Sequence, residues 1–335
     1  MSKMELVCPA GSLPALRAAV DNGADCVYMG FRDATNARNF PGLNFDERSA
    51  ERGIAHAREH GCKVLLALNT YPQPQSWEIW TAAVDRAARL GVDALILADA
   101  GLMRYASDKH PDLRLHLSVQ GSATSPEAIA FYRDQFNIRR VVLPRVLSLS
   151  QVRRVVENTD VEVETFAFGS LCVMVEGRCY LSSYATGESP NTCGACSPAK
   201  AVRWQETAEG GRKVHLNDVL IDRYAPGENA GYPVICKGRF EVNGETGYAI
   251  EEPTSLSVLD ILPQLQAMGV KAIKVEGRQR SPAYVAQVTR VLREALDAVA
   301  SRPEAYTPRS DWVAQLDRLA EGSTHTLGAL DRQWQ

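Results

Sequence analysis

The chain has 335 residues, of which 45% are hydrophobic and 23% are charged, and this is the composition of a globular protein with a full core. Intrinsic disorder and collagen-like structure are therefore excluded. Lys and Arg number 37 against 40 Asp and Glu, so the net charge of −3 predicts no basic face that would dominate binding to a nucleic acid.

The first residues contain only a short apolar stretch before Pro9, which is too little for a signal peptide or a membrane span. We therefore expect a cytoplasmic location and no transmembrane segment. Because thiols stay reduced in the cytosol, the eight cysteines are better interpreted as metal ligands or buried thiols than as a disulfide framework.

Eight short runs of aliphatic and β-branched residues predict strands. They begin near residues 4, 25, 63, 93, 114, 140, 161 and 271, and most are apolar throughout, as strands buried on both faces are. Helical periodicity lies between them, at 13–22, 47–60, 77–90, 102–109, 126–135, 150–158, 257–267 and 282–300. This alternation predicts an α/β, TIM-barrel-like (β/α)8 fold, with an open doubly wound sheet as the alternative.

Successive strands start about 20 to 40 residues apart, but about 110 residues separate the seventh from the eighth. We therefore expect a cysteine-rich subdomain at 169–253, inserted into a barrel formed by 1–168 and 254–308 and followed by a C-terminal helix and polar tail at 309–335. Short strands are predicted at 213–220, 239–242 and 248–251. Chain that follows a barrel strand emerges at the C-terminal face, so the insertion should cover the barrel mouth.

Five of the eight cysteines lie in the insertion, namely Cys172, Cys179, Cys193, Cys196 and Cys236. Thiolates are soft ligands suited to iron or zinc. Only Cys193 and Cys196 have the close spacing of a structural zinc site, and the run does not match a ferredoxin. Spacing alone thus favours a metal site over scattered core thiols, and it does not choose the metal.

Polar residues follow the ends of the predicted strands and should converge on the barrel mouth. These are Asn36, Arg38, Asn69, Asp99, Gln120, Arg145, Glu276 and Arg278. Helix capping or loop bonding is the alternative role of each. Arg38, Arg145, Arg178 and Arg278 are candidates for bidentate binding of a dicarboxylate, with surface ion pairing as the alternative. No catalytic acid or base is assigned.

Several other chemically notable residues are interpreted as structural. Cys8, Cys26 and Cys62 lie in or beside predicted strands and are expected to be buried thiols. His116 lies inside the fifth predicted strand and is expected to be a core histidine. The aromatic residues of the insertion, which include Tyr180, Tyr184, Tyr224, Tyr232 and Trp204, are expected to pack the subdomain core.

The run from Glu164 to Ser182, with Cys172 and Cys179 in it, resembles the signature of the collagenase-like peptidase family. The segments 184–191, 196–199, 228–233, 252–255 and 274–281 resemble one branch of that family, which acts in ubiquinone biosynthesis. The likeness spans essentially the whole chain, from the sequence Cys-Pro-Ala-Gly at 8–11 to the C-terminal Trp-Gln.

The resemblance implies a 4Fe-4S cluster on Cys172, Cys179, Cys196 and Cys236, with Cys193 as a non-ligating loop residue. It also implies hydroxylation of a prenylated phenol quinone precursor without O2, with prephenate as the expected oxygen donor. The partners it implies are a UbiV-like protein, as a heterodimer, and a lipid-carrier accessory protein.

Three alternatives come from other functional classes. A hydroxylase of RNA bases from the same family would be expected to carry a basic patch or an added binding domain. A non-catalytic electron-transfer subunit is the second alternative, with catalysis residing in the UbiV-like partner. A peptidase is disfavoured, because the sequence has neither a His-Glu-x-x-His nor a Gly-x-Ser-x-Gly pattern.

Overall fold

A computed structural model describes residues 3–172, 174, 179–190 and 195–332. All eight predicted strands form and close into a parallel barrel, which confirms the predicted fold and excludes the open sheet. The barrel strands are β1 (Glu5–Pro9), β2 (Cys26–Met29), β3 (Lys63–Leu68), β4 (Ala94–Leu97), β5 (Leu115–Leu117), β6 (Ile138–Val142), β7 (Glu162–Ser170) and β14 (Ala272–Val275). The ring is closed because β14 pairs in parallel with both β1 and β7.

Most of the helices surround the barrel and bury an apolar face in its core, while the short helix Tyr180–Thr186 lies in the insertion and buries only Ser182. The described helices are α1 (Leu13–Asp21), α2 (Glu47–Glu59), α3 (Trp77–Leu90), α4 (Ala100–Lys109), α5 (Pro126–Phe136), α6 (Leu149–Glu157), α7 (Tyr180–Thr186), α8 (Leu262–Met268), α9 (Pro282–Ser301) and α10 (Ser310–Asp317). Local signals set several of the boundaries. Ser125 and Ser281 each accept a backbone hydrogen bond at the start of a helix whose first turn contains proline.

The helix predicted at 257–267 is partly wrong. Residues Ser255–Ser257 form a strand, β13, which pairs antiparallel with the end of β7, and the helix α8 begins only at Leu262. The two extra residues of β7 beyond the closed ring, Gly169 and Ser170, supply the pairing edge for β13. A tertiary strand pairing therefore overrides the local helical periodicity.

The described part of the insertion contains two small antiparallel sheets. One consists of β8 (Val202–Glu206), β9 (Arg212–Leu216) and β10 (Val219–Tyr224), and the other of β11 (Arg239–Val242) and β12 (Glu245–Tyr248). The strand predicted at 213–220 is wrong, because Asn217 adopts a left-handed conformation and turns the chain between β9 and β10. The strand predicted at 248–251 lies at 245–248 instead, and β8 was missed.

The chain after α10 returns to the barrel. His325–Thr326 form β15, which pairs in parallel with β13 at the edge of the main sheet. The segment just before it places Glu321 against Ser170 and Lys237. The C-terminal residues thus help to fix the junction between the barrel and the insertion.

The barrel interior contains a layer of charged side chains beside a small apolar cluster. Lys274 Nζ donates to Glu164 Oε1 at 2.7 Å, and Arg140 Nη1 lies 3.3 Å from Glu164 Oε2. Arg140 also pairs with Glu5 and Glu162 toward the base of the barrel. Arg140, Glu164 and Lys274 are all buried. Such a layer is stable only while its charges stay balanced, because each ion has lost its hydration.

Replacing Lys274 with methionine should lower the free energy of unfolding by about 3–5 kcal/mol. Glu164 would then keep only its contact with Arg140, which already serves two other carboxylates. Equilibrium urea unfolding followed by circular dichroism measures the loss. Adding Glu164→Gln to the same chain should recover part of it by removing the unpaired charge, and a loss below about 1 kcal/mol in Lys274→Met alone would contradict the balance argument.

Candidate functional site

The mouth of the barrel brings together five of the eight polar residues predicted there. They are Asn36, Arg38, Arg145, Glu276 and Arg278. Two glycines allow the loops to approach one another this closely. A Cβ on Gly11 would lie 1.7 Å from the carbonyl oxygen of Arg278, and a Cβ on Gly30 would lie 2.4 Å from Nδ2 of Asn36.

Glu276 lies between two arginines. Arg145 Nη1 donates to Glu276 Oε2 at 2.7 Å, and Arg38 Nη2 lies 3.9 Å from Glu276 Oε1. Arg145 also donates to the carbonyl of Ser170 and covers the ring of Phe166, with 4.3 Å from its guanidinium carbon to the ring centroid. Burial would raise the pKa of Glu276, but the charges of Arg145 and Arg38 outweigh it and hold the pKa below its ordinary value. Glu276 is therefore ionised and committed to these partners.

Arg278 is bound differently from the other two arginines. It is 7% exposed, and its Nη1 donates to Asn36 Oδ1 at 2.6 Å. The guanidinium carbon lies 5.6 Å from the ring centroid of Tyr28. Within the described residues, no carboxylate forms an ion pair with Arg278. Burial lowers its pKa to about 10, which still leaves it charged near neutral pH. A buried cation with a neutral partner is a suitable ligand for an anion.

The remaining three predicted mouth residues have smaller roles in this structure. Asn69 Oδ1 accepts a hydrogen bond from the backbone nitrogen of Ala37, so it supports the loop that carries Asn36 and Arg38. Asp99 caps α4 through Leu102, which is the alternative role considered for it. Gln120 is buried and accepts a hydrogen bond from Ser118, while its Nε2 has no partner in the described residues.

The four cysteines expected as ligands all lie in the described part of the insertion, each partly exposed and none in a disulfide. Cys172 follows the end of β7, Cys179 caps α7, and Cys236 lies in a short 3-10 turn, Ile235–Lys237. Cys193 and Arg178 lie outside the described residues. Cys8, Cys26 and Cys62 are buried, as predicted, and burial raises the pKa of each thiol.

Hydrogen bonds connect the segments that carry two of these cysteines, Cys179 and Cys196. Ser182 donates from its backbone nitrogen to Cys179 Sγ at 3.4 Å and from its hydroxyl to the carbonyl of Cys196. Burial raises the pKa of Cys236 to about 11, Lys237 lowers it, and the Cys196 and Cys179 thiols raise it. The thiol of Cys236 therefore lies within electrostatic range of Cys179 and Cys196. Cys172 Sγ contacts the carbonyl of Met174 at 3.6 Å.

Lys237 connects the cysteine segment to the mouth. Its side chain is 8% exposed, and its Nζ contacts Ser170 Oγ at 3.1 Å and pairs with Glu321. Ser170 Oγ donates to Glu321 Oε1 at 2.8 Å, and the Lys237 charge contributes to the lowered pKa of Glu276. Lys237, Ser170 and Glu321 were not predicted as site residues. The position of Lys237 beside Cys236 was the available signal, whereas nothing local marked Glu321.

His116 is 2% exposed inside the barrel, as predicted for a core histidine, and its Nε2 accepts from Arg114 Nε at 3.0 Å. Burial and the nearby arginines hold its pKa well below the ordinary value, so it stays neutral. The expected packing of the insertion aromatics is wrong for four of them. Tyr180, Tyr184, Tyr232 and Trp204 are 76%, 83%, 60% and 44% exposed.

Among the described residues, no helix combines the length and the apolar composition that crossing a membrane requires.

The comparisons with known proteins match most of the chain. The model of peptidase family U32 matches residues 11–331. "tRNA hydroxylation protein P1" of Bacillus subtilis is 30% identical over 328 residues, covering 97% of this chain and 70% of the relative. "tRNA hydroxylation protein P" of Escherichia coli is 31% identical over 327 residues, covering 90% of this chain and 70% of the relative. "23S rRNA 5-hydroxycytidine C2501 synthase" of the same organism is 29% identical over 300 residues, covering 89% of this chain and 40% of the relative. With its barrel, its cysteine-bearing insertion and a family match over nearly all its length, the chain belongs to peptidase family U32.

Proposed function

We propose that this chain is the 4Fe-4S subunit of an O2-independent hydroxylase of the UbiU type, acting on prenylated aromatic quinone precursors. One observation carries the proposal: Lys237 joins the segment that bears Cys236 to Ser170 and Glu321 at the barrel mouth. A redox group held by the cysteines would thus lie near the polar residues of the barrel mouth. The names of the relatives support hydroxylation as the reaction class.

The donor set fits an iron-sulfur cluster on Cys172, Cys179, Cys196 and Cys236. All four are thiols without disulfides, on loops and short turns that can adjust to a bound group. Four thiolates are suitable ligands for either a 4Fe-4S cluster or a zinc ion. The resemblance of the insertion to the family signature favours the cluster.

Replacing Cys172 and Cys179 together with alanine should abolish the iron and acid-labile sulfide of anaerobically purified protein. The wild type should contain about four of each per chain, with a broad visible absorption band. Cys193→Ala is the matched control, because Cys193 lies in the same insertion and is expected not to bind iron. Stoichiometric zinc in the wild type, or loss of iron in the control variant, would contradict the ligand assignment.

The bound cluster would supply a route for electrons. Replacing a ring hydrogen with a hydroxyl group is a two-electron oxidation, so a donor that gives up the hydroxyl must be reduced by two electrons. We propose a carboxylate-bearing donor such as prephenate, bound through Arg278. Arg145 is committed to Glu276 and Ser170, whereas Arg278 pairs with no carboxylate among the described residues. Asn36 would hold the guanidinium in place for a bidentate contact.

Arg278→Gln should weaken prephenate binding by at least about tenfold, since a charge-assisted hydrogen bond is lost from a buried site. Isothermal titration calorimetry on anaerobic holoprotein measures the affinity. Arg104→Gln serves as the control, because that arginine lies on the exposed face of α4 and pairs with Asp108. Unchanged affinity in Arg278→Gln, with its iron content intact, would remove Arg278 from the donor site.

A partner of the UbiV type is supported by the exposed aromatic residues near the cysteines. Tyr180 follows Cys179 directly, and Tyr184 lies one turn later on α7. Tyr232 donates a hydrogen bond to the carbonyl of Ser197, next to Cys196. Exposed tyrosines are typical of protein interfaces, where they bury a large apolar area while keeping a polar end. This surface would therefore be covered in a heterodimer, and a lipid-carrier accessory protein would present the prenylated substrate.

Hydroxylation of RNA bases is the second candidate, and the names of the relatives favour it. The net charge of −3 gives no support to a nucleic acid as the substrate. A strain that lacks this protein distinguishes hydroxylation of the quinone precursor from hydroxylation of RNA bases. We expect anoxic growth without the protein to abolish ubiquinone and to leave hydroxylated tRNA and rRNA nucleosides at their normal level. Mass spectrometry of both pools, with a complemented strain as control, makes the measurement, and the reverse pattern would establish the RNA function.

Purified components test the same proposal directly. The quinone precursor should be hydroxylated only when this chain, the UbiV-like protein and the oxygen donor are all present under anoxic conditions. Turnover without the UbiV-like protein would contradict the requirement for a heterodimer.

A further inference from the structure

A second group of metal-binding side chains lies on the opposite face of the barrel from the mouth. It consists of Asp21, at the last residue of α1, and of His56 and His60, at the end of α2. Each barrel helix runs back toward the start of the next strand, so the ends of α1 and α2 lie at the N-terminal face. The three residues take no part in the proposed hydroxylation.

The ligand atoms of these residues already converge. One atom from each residue lies within 4.8 Å of the other two. His56 Nε2 is 3.0 Å from Asp21 Oδ1, and the two imidazole centroids are 4.4 Å apart. Around a tetrahedral Zn²⁺ with bonds of about 2.0–2.1 Å, neighbouring ligands are about 3.3 Å apart. Small side-chain rotations would therefore bring all three atoms within bonding distance of one ion.

A hydrogen bond to the backbone holds the ring of His60 in an orientation that suits metal binding. Its Nδ1 lies 2.8 Å from the carbonyl oxygen of His56, so the proton resides on Nδ1 and the lone pair on Nε2. Metal-binding histidines usually carry such a bond from the second ring nitrogen, because it fixes the tautomer and the ring orientation. The spacing of four residues puts His56 and His60 on the same face of the helix.

Helix dipoles add to the attraction for a cation. The site lies at the carboxyl ends of α1 and α2, where each helix carries partial negative charge. Two imidazoles with one carboxylate favour first-row divalent ions over Mg²⁺ or Ca²⁺, which prefer oxygen ligands.

We propose that Asp21, His56 and His60 form a binding site for one divalent transition-metal ion of the Zn²⁺ class, linking α1 to α2. Water would complete the coordination, because the residues are at least partly exposed. The site is distinct from the cysteine site in its ligands, its place in the fold and its preferred metals.

The chain contains a natural comparison. His110 Nε2 lies 2.7 Å from Asp85 Oδ1, so it forms a surface His–Asp pair of nearly the same length as His56 with Asp21. That pair has no third metal-binding side chain close by, and Asp21, His56 and His60 are the one such group found in the described part of the chain. Comparing substitutions at His110 with those at His56 and His60 therefore tests whether a His–Asp contact alone binds a metal ion.

Cobalt(II) is the probe, because its visible spectrum reports the ligand type. Titration of the anaerobic full-length holoprotein should give one equivalent bound at micromolar Co²⁺, with weak d–d bands and no thiolate charge-transfer band. His56→Ala with His60→Ala should abolish this signal. Asp21→Asn should weaken binding by at least about tenfold. Addition of Zn²⁺ should displace the cobalt.

Three controls make the result decisive. His110→Ala should leave Co²⁺ binding unchanged, and the Cys172→Ala, Cys179→Ala variant should lose its iron while keeping the nitrogen-ligated cobalt. His60→Ala alone removes an exposed ligand at the helix end, so it reports on the site even where the double variant folds poorly. Cobalt spectra unchanged by the histidine substitutions, or no binding by wild type at micromolar Co²⁺, would overturn the proposal.

Discussion

The rest of the structure depends on the closure of the barrel by a strand that is distant in sequence. The seventh strand ends at Ser170, and the strand that pairs with it, β14, begins at Ala272. Between them the chain must leave the barrel, form the cysteine-bearing insertion and return to the same place in the ring. Both ends of the insertion are thereby held at the mouth, because β13 pairs with the end of β7.

The close contact between β7 and the residues after β14 shows how tight this closure is. Glu276 donates from its backbone nitrogen to the carbonyl of Phe168. A Cβ on Gly169, whose φ is 130°, would lie 2.7 Å from the Cβ of Glu276. Because Glu276 is fixed by the backbone, the two arginines that pair with it are fixed as well. The position of Arg278 follows, two residues further along the same loop.

Charge balance is the second constraint, and it differs between the interior and the mouth. In the interior, Lys274 and Arg140 offset the carboxylates that face them. At the mouth, Arg38, Arg145 and Arg278 surround the carboxylate of Glu276, and Lys237 pairs with Glu321. A balanced interior supports the fold, while the positive excess at the mouth favours an anionic ligand. The net charge of the whole chain does not reveal this local excess.

The sequence by itself determined the eight barrel strands and nearly all the barrel helices, because apolar periodicity and capping residues such as Ser125 and Ser281 act over a few neighbouring residues. It also placed the mouth residues at strand ends, and the family resemblance selected four of the five insertion cysteines. Only the tertiary structure decided the pairing of β13 and β15, the contact of Glu321 with Lys237, and the different partners of Arg145 and Arg278. It alone brought Asp21 to His56 across two helices. These features depend on contacts between distant segments, and the local pattern of residues does not encode which distant segment a side chain will meet.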